Sequence, residues 1–186
     1  MLPFIDSSDS IITIENMSQK QAEFWLRGPV KGVPPLLQPV AHALLQAREE
    51  VTALMKDFKD EDLWHKPAGV ASVAFHLQHL CGILDRLFTY AQGKQLSNDQ
   101  LVALKAEGIC KSNISVQQLL TAFNEQVSIS INALMLVMEE QLLETRGVGR
   151  ANIPSTMLGL YVHAAEHTMR HVGQLLVTVK LIRQPS

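Results

Sequence analysis

The sequence predicts an all-α fold, namely a four-helix bundle with a short extra helix and an N-terminal lead-in segment. Three observations favour this class. Apolar residues recur at helical spacing over several long stretches, capping motifs precede some of these stretches, and polar loops containing Pro or Gly separate them. Helices of about 20 residues joined by such loops are typical of bundles.

The first two long helices are predicted from their apolar stripes. Residues 36–58 repeat apolar side chains at helical spacing, and Pro39 is compatible with this helix because it falls in the first turn. The segment KDEDLWHKPAGV that follows is expected to be a loop. Residues 71–92 then carry a second apolar stripe, so they are predicted to form the second helix.

Two capping boxes predict where the next two helices begin. Ser97 followed by Gln100 opens a short third helix that ends near Gly108. Ser115 followed by Gln118 repeats the motif and opens a long fourth helix that continues to about position 140.

The last helix is expected to run from position 154 or 155 to position 182, after a loop with the sequence TRGVGRANIPST. Its predicted core stripe consists of apolar residues spaced three or four apart: Leu158, Val162, Ala165, Met169, Val172, Leu176 and Val179.

The length of 186 residues fits one domain, residues 1–186, which is large enough to bury a core without disulfides or a metal ion. Residues 1–28 are interpreted as a lead-in segment that packs on the bundle. The stretch SIITIE within it has some strand character, but a lone strand has no partner with which to pair.

Composition argues against several classes of partner. The net charge is -2 with Lys and Arg dispersed, so no nucleic-acid-binding surface is expected. No apolar run approaches the ~20 residues that span a bilayer, and the N-terminus lacks the features of a secretory signal. The two cysteines do not form a disulfide framework. We therefore expect a cytoplasmic protein without nucleic-acid or membrane partners.

Three histidines in the last helix raise the question of function. In the stretch HAAEHTMRHVGQL, His163, His167 and His171 follow one another at intervals of four, which places them along one side of a helix. His167 and His171 lie among apolar neighbours, whereas His163 lies near charged residues. A histidine pair at this spacing can bind one metal ion, so His167 and His171 are the favoured pair.

A third ligand from another helix would strengthen this interpretation, and the second helix offers His76 and His79 in the stretch FHLQHLCGILDRL. Periodicity slightly favours His76, which lies nearer the centre of the apolar stripe. Gly82, one turn after His79, leaves room for another helix or a ligand to approach closely. The residue pattern alone does not decide between the two histidines.

A competing motif spans His163 to His167, because HAAEH matches the H-x-x-E-H pattern of inverted zinc peptidases. Such enzymes need a further ligand, often an acidic residue downstream, and no Asp or Glu follows Glu166. The alternative role of Glu166 is an exposed ion pair with Arg170.

The stretches SVAFHLQHLCGILDRLFTYAQG and LYVHAAEHTMRHVGQLL resemble the DinB/YfiT-like superfamily of metal-binding four-helix bundles, in particular its DinB-like branch. The resemblance covers roughly residues 25–183. Members carry a histidine in the second helix, followed six and seven residues later by Asp-Arg, and a His-x-x-x-His pair in the last helix. The resemblance therefore implies His79, His167 and His171 as the ligands of a divalent metal ion, usually zinc or nickel, with water in the open positions.

This chain departs from the pattern at one place. Many members have Arg directly after the last histidine, whereas Val172 stands there in this chain and Arg170 precedes His171. A role of that arginine therefore does not transfer. Gln174, close to one turn after His171, is the expected hydrogen-bond donor beside the site. Asp85 and Arg86 are interpreted either as a structural ion pair between helices or as substrate contacts.

The resemblance also implies a range of functions. Three neutral imidazoles leave a metal ion with open positions, as catalytic sites do. The superfamily includes S-transferases and isomerases that use low-molecular-weight thiols, so the leading hypothesis is a metal-dependent thiol transferase acting on an unidentified small molecule. Neither Cys81 nor Cys110 is suited to be the thiol, which would be external. The alternatives are a metal-hydroxide hydrolase and a metal-binding module without turnover.

The fourth helix predicts an oligomer. Its C-terminal part has more apolar residues than one bundle face requires, and bundles resembling this one are often homodimers. The residues concerned are Leu134, Leu136, Val137 and Met138.

Overall fold

A computed structural model describes residues 22–184 of the chain. In this part the chain forms five α-helices and a two-stranded sheet, with short 3-10 turns between several of them. The elements are α1 (Gln38–Leu54), α2 (Val73–Ala91), α3 (Asn98–Ala106), α4 (Val116–Met135), β1 (Thr145–Val148), β2 (Ile153–Thr156) and α5 (Met157–Arg183).

The four long helices form the bundle. Helix α2 packs against α5 and α4, and α1 packs against the same two helices, so each long helix has two neighbours. Side chains from all four helices fill the centre, including the fully buried Leu44, Leu80, Phe123 and Leu175. Helix α3 contributes no buried residue and lies on α2. The prediction of an all-α bundle with one short extra helix is confirmed.

The helix starts follow the predicted capping chemistry. Ser97 and Ser115 each accept a hydrogen bond from the backbone three residues later, and the side chains of Gln100 and Gln118 accept in return. These two capping boxes therefore satisfy backbone N–H groups that have no partner inside the helix.

Helix α4 ends earlier than predicted, at Met135 rather than near position 140. A 3-10 turn, Glu139–Gln141, follows and turns the chain back toward the core. Leu142 is almost completely buried, and its carbonyl accepts a hydrogen bond from the backbone N–H of Leu158 at 2.9 Å. The helix therefore ends before Leu142, and the turn places the side chain of this leucine in the core.

The segment predicted as a loop before the last helix is a β-hairpin. Strands β1 and β2 pair antiparallel from Thr145 opposite Thr156 to Val148 opposite Ile153. Such a hairpin is marginal by itself, and here the side chain of Arg146 anchors it by donating to the carbonyl of Ala91 at 2.8 Å. The sequence of residues 145–156 does not indicate this long-range contact, because its Gly, Pro and Asn content is typical of loops.

The buried face of α5 differs from the predicted stripe. Val162 and Leu176, which the pattern assigns to the core, are 50% and 41% exposed, whereas Leu160, Ala164 and Leu175 are buried. The reason is that α5 packs against both α1 and α2, so its buried surface is centred nearer the side that carries the histidines.

The N-terminal lead-in is described only from residue 22. A 3-10 turn, Phe24–Leu26, lies on α1, where the backbone N–H of Phe24 donates to Gln46 at 3.0 Å. Arg27 pairs with Glu49 through two hydrogen bonds. The stretch SIITIE and the remainder of the predicted lead-in lie outside the described residues.

One stretch of the described chain, Pro67–Ala91, is long and apolar enough to cross a membrane by length and composition alone. Its helical part, α2, supplies core residues that pack against both neighbouring helices, among them Leu77, Leu80 and Leu84. This is the environment of a core helix in a soluble-type helical domain.

Candidate metal centre

Three histidines from two helices lie together at the interface of α2 and α5. One ligand nitrogen from each of His79, His167 and His171 lies within 4.8 Å of the other two. His167 and His171 are one turn apart on α5, and α2 brings His79 to face them. Within residues 22–184, this is the group of His, Cys, Asp and Glu side chains that is positioned to bind a metal ion.

The neighbouring His76 has a different position. Nε2 of His79 lies 2.9 Å from Nε2 of His167, whereas His76 reaches His171 through Nδ1, 3.1 Å from Nδ1 of that residue. His76 is only 2% exposed. In space, His79 belongs to the cluster, whereas His76 contacts Nδ1 of His171.

A carboxylate that sequence reasoning missed completes the surroundings of His79. Oε2 of Glu107, the residue after α3, lies 2.7 Å from Nδ1 of His79. The two residues are 28 positions apart, and no spacing rule links them. Their contact depends on α3 folding back over α2, so the only available signal was an acidic residue directly before Gly108 at a helix end.

Glu107 also receives the guanidinium of Arg86, with Nη1 2.6 Å from Oε1. Both side chains are mostly buried. Arg86 therefore forms a structural ion pair, as predicted, but its partner is Glu107. Asp85 instead accepts a hydrogen bond from Gln100 at 2.9 Å. Because Gly82 has no side chain, it leaves space beside α2, as the sequence suggested. The Arg86–Glu107 ion pair occupies this space.

His163, the first of the three histidines spaced four residues apart on α5, lies at the surface. The side chain of His163 is half exposed, and its Nδ1 is 3.5 Å from Glu166. Glu166 pairs with Arg170 as expected for residues one turn apart, so the glutamate of the H-x-x-E-H pattern is engaged on the surface. Gln174, the predicted donor to His171, is exposed, and the polar group that reaches His171 comes from His76.

Burial keeps His167 and His171 in the form that binds metals. Burial and, to a smaller extent, the nearby His79 lower the pKa of His76 and of His171 to about 4. Burial also lowers the pKa of His167. Burial raises the pKa of Glu107, but hydrogen bonds from His79 and Arg86 outweigh this effect and hold the pKa below its ordinary value. At neutral pH the imidazoles of His76, His167 and His171 are neutral and Glu107 is charged.

Both cysteines are free thiols. Burial raises the pKa of the Cys81 thiol to about 11, and Sγ lies 3.8 Å from the carbonyl of Ala122. Cys110 is exposed in the loop after α3. Cys81 is therefore a partly buried neutral thiol that faces α4 rather than the histidine cluster.

Comparisons with known proteins agree with this fold. A conserved protein from Enterococcus faecalis has a similar fold, with a TM-score of 0.65 and 19% identity over 78% of this chain and 96% of that one. A protein from Streptococcus pneumoniae gives a TM-score of 0.55 and 16% identity over 76% and 86% of the two chains. No curated protein matches the chain. The sequence pattern of the DinB superfamily matches residues 43–175, which include every histidine of the cluster. The chain belongs to the DinB superfamily.

Proposed function

We propose that the protein binds one divalent metal ion through His79, His167 and His171. The observation that carries this proposal is the convergence of three imidazoles from two helices, with ligand nitrogens within 4.8 Å of one another. A protein of this size folds on its own core, so the convergence is not needed for stability. Membership of a metal-binding superfamily supports the same conclusion.

The residues present fit such an ion. Two ligands at 2.0–2.1 Å from a tetrahedral ion are about 3.3 Å apart. Nε2 of His79 and Nε2 of His167 are 2.9 Å apart, so a small outward movement of the rings accommodates the ion. The lowered pKa values of His167 and His171 leave each ring a lone pair at neutral pH.

The donor set favours particular metals and a catalytic role. Imidazole ligands suit zinc and nickel, which are the metals proposed here. Three neutral ligands leave the ion its full charge and at least one open position, whereas closed structural sites use four protein ligands. When bound, such an ion supplies a Lewis acid that favours the thiolate form of a thiol over the protonated form.

We further propose that the protein is a thiol S-transferase that uses an external low-molecular-weight thiol. The cysteines of the chain support an external source. Cys81 faces away from the cluster and has a pKa raised to about 11, which leaves it protonated at neutral pH. Cys110 lies in an exposed loop outside the cluster.

The proposed reaction is a substitution at an electrophilic carbon. The thiol gives its proton to solvent, the sulfur forms a bond to carbon with its electron pair, and the leaving group departs with the electron pair of the broken bond. With a haloarene the products are the thioether, the halide ion and one proton. The three imidazoles would hold the metal ion, and with it the reacting thiol, at the α2–α5 interface.

Metal content and affinity provide the first test. Purified protein should contain about one zinc or nickel ion per chain, and alanine at His79, His167 or His171 should remove it. His163→Ala is the matched control, because this histidine lies on the same helix one turn before His167. Metal loss in the control as severe as in the ligand variants would refute the proposed ligand set.

A thiol panel tests the reaction. Zinc-loaded protein would be mixed with bacillithiol, mycothiol, glutathione or cysteine and with chlorodinitrobenzene or maleylpyruvate as the electrophile. We expect turnover with at least one thiol that the His171→Ala variant lacks. Equal rates for the two proteins with every thiol would discard the transferase, and release of product by water without a thiol would favour a metal-hydroxide hydrolase. Metal binding without either reaction would favour a non-enzymatic module.

A further inference from the structure

Glu107 is the acidic side chain that meets the histidine cluster from outside it. Its Oε2 lies 2.7 Å from Nδ1 of His79 and its Oε1 pairs with the guanidinium of Arg86, so Oε2 accepts the hydrogen bond from His79. A carboxylate accepts but does not donate, so Nδ1 of His79 carries the proton of this hydrogen bond. Nε2 is the nitrogen left to bind an ion, and it is the atom that faces His167 at 2.9 Å.

We propose that Glu107 is a positioning residue of the metal site, which fixes the tautomer and the ring orientation of His79 for metal binding. This inference rests on the proposed metal site and adds to it a residue from the segment after α3. A carboxylate bound to the outer nitrogen of a metal-ligating histidine also makes that ring a stronger electron-pair donor.

Two contacts hold Glu107 and the residue after it in place. The buried Arg86 pairs with its second oxygen at 2.6 Å. The next residue, Gly108, donates its backbone N–H to Gln78 at 2.9 Å. Gly108 has a φ of +77°, and a Cβ there would lie 3.1 Å from the ring of Phe75, so a side chain at this position would be both strained and crowded. The segment is thereby fixed against the helix that carries His79.

Gly82 makes room for this arrangement. A Cβ at Gly82 would lie 2.5 Å from Nη1 of Arg86 and 2.5 Å from Oε1 of Glu107. Glycine in a helix interior is less favourable than alanine, and the absence of its side chain is what allows the Arg86–Glu107 pair to lie directly over α2. Glycine at position 82 therefore leaves room for the carboxylate of Glu107.

The three proposed ligands differ in the group that contacts their Nδ1 atom. Nδ1 of His171 contacts the neutral His76 at 3.1 Å, and Nδ1 of His167 is buried without a hydrogen-bond partner among residues 22–184. His79 is the ligand to which a charged group is bound. The role of Glu107 is therefore specific to the ligand that α2 supplies.

Three variants test this role through zinc affinity, measured by competition with a chromophoric chelator. Glu107→Leu should bind zinc about 10- to 100-fold more weakly than the wild type, and Glu107→Gln, which keeps one acceptor oxygen, by a smaller factor. Gly82→Ala should also weaken binding, because it displaces the ion pair while retaining every ligand. Glu107→Leu leaves Arg86 unpaired and can destabilise the fold, whereas Gly82→Ala raises helix propensity and keeps the test valid.

Two matched controls show whether the effects depend on where the carboxylate or the glycine lies, rather than only on the type of residue replaced. Glu144→Gln removes a carboxylate that pairs with Arg146 at 2.8 Å on the hairpin, and Gly173→Ala adds a Cβ on α5 where no atom lies within 4 Å. Both should bind zinc as the wild type does. Long-range nitrogen NMR of the zinc-free proteins should find the His79 proton on Nδ1 in the wild type and shared between both nitrogens in Glu107→Leu.

The outcomes distinguish the two proposals. A wild-type protein that binds no zinc or nickel would refute the metal site itself. Tight binding by the wild type together with unchanged affinity in folded Glu107→Gln, Glu107→Leu and Gly82→Ala would overturn the role of Glu107 and leave the metal site standing. An unchanged His79 tautomer in folded Glu107→Leu would also overturn it.

Discussion

His76 and His79 are neighbours on one helix, yet their ring nitrogens meet different groups. Nε2 of His79 faces another ligand nitrogen at 2.9 Å, whereas His76 contacts Nδ1 of His171 at 3.1 Å. Because that contact engages Nδ1, the other nitrogen of His171 is the one available to an ion. In the proposed metal site, His76 therefore supports the ligand His171, while His79 is itself a ligand.

This difference predicts unequal effects of alanine substitution. His79→Ala should abolish zinc binding at micromolar concentrations, because one of three protein ligands is lost. His76→Ala should retain binding with an affinity about 10- to 100-fold weaker, since only the support of His171 is lost. Calorimetric titration of both purified variants measures the effect. The reverse order of affinities would contradict the assignment of His79 to the cluster.

Part of the candidate site could be predicted from the sequence. The spacing of His167 and His171 follows directly from the helical repeat. His76 and His79 lie only one turn apart, so periodicity could not separate them, and the Asp-Arg register taken from the family resemblance favoured His79. Glu107 could not be predicted, because its contact with His79 depends on the path of the chain through α3.

At the scale of elements, the candidate site joins two helices of the bundle. The cluster takes His79 from α2 and His167 and His171 from α5, and these helices form an extensive interface. An ion bound there would cross-link them only in the folded state, because the unfolded chain does not hold the three rings together. Metal binding and folding are then linked.

We therefore expect zinc to stabilise the protein. At free zinc about 100-fold above the dissociation constant, the free energy of unfolding should rise by about 2.7 kcal/mol. Thermal unfolding followed by circular dichroism, with and without zinc, measures the gain. His167→Ala should lose the gain and His163→Ala should keep it. Equal stabilisation of both variants would show that zinc acts elsewhere on the chain.

The elements differ in how well the sequence predicts them. Capping boxes and apolar stripes act within a few residues, so the start of α4 at Val116 is predicted correctly, whereas its end is predicted about five positions too late. The hairpin was missed, because Arg146 stabilises it by reaching Ala91 across the fold. The buried face of α5 was misplaced, since a helix with two neighbours buries a wider surface than one stripe.

At the scale of the whole molecule, several large apolar side chains are exposed on the described chain, and two of them follow α4 directly. Leu136 and Met138, directly after α4, are 84% and 59% exposed. Leu36 is also exposed, and its backbone N–H donates to the side chain of Glu139, the residue after Met138, at 3.1 Å. Leu134 is fully buried and therefore belongs to the core of the bundle. We call Leu36, Leu136 and Met138 the Leu136 patch.

We propose that the Leu136 patch contributes to a homodimer. Adjacent exposed apolar residues are costly to leave in water, and association of two chains removes them from it. Light scattering at micromolar concentration should give twice the 20.6 kDa mass of one chain. Leu136→Glu should shift the protein to monomer, because dimerisation would bury the introduced charge without a partner.

Val177→Glu is the matched control, because Val177 is an exposed apolar residue on α5. It should remain dimeric, since the added charge stays in solvent. A monomeric wild type would refute the dimer. A dimer that survives Leu136→Glu but dissociates in Val177→Glu would place the interface on α5, beside the helix face that carries His171, and the two chains would then meet close to the proposed metal site.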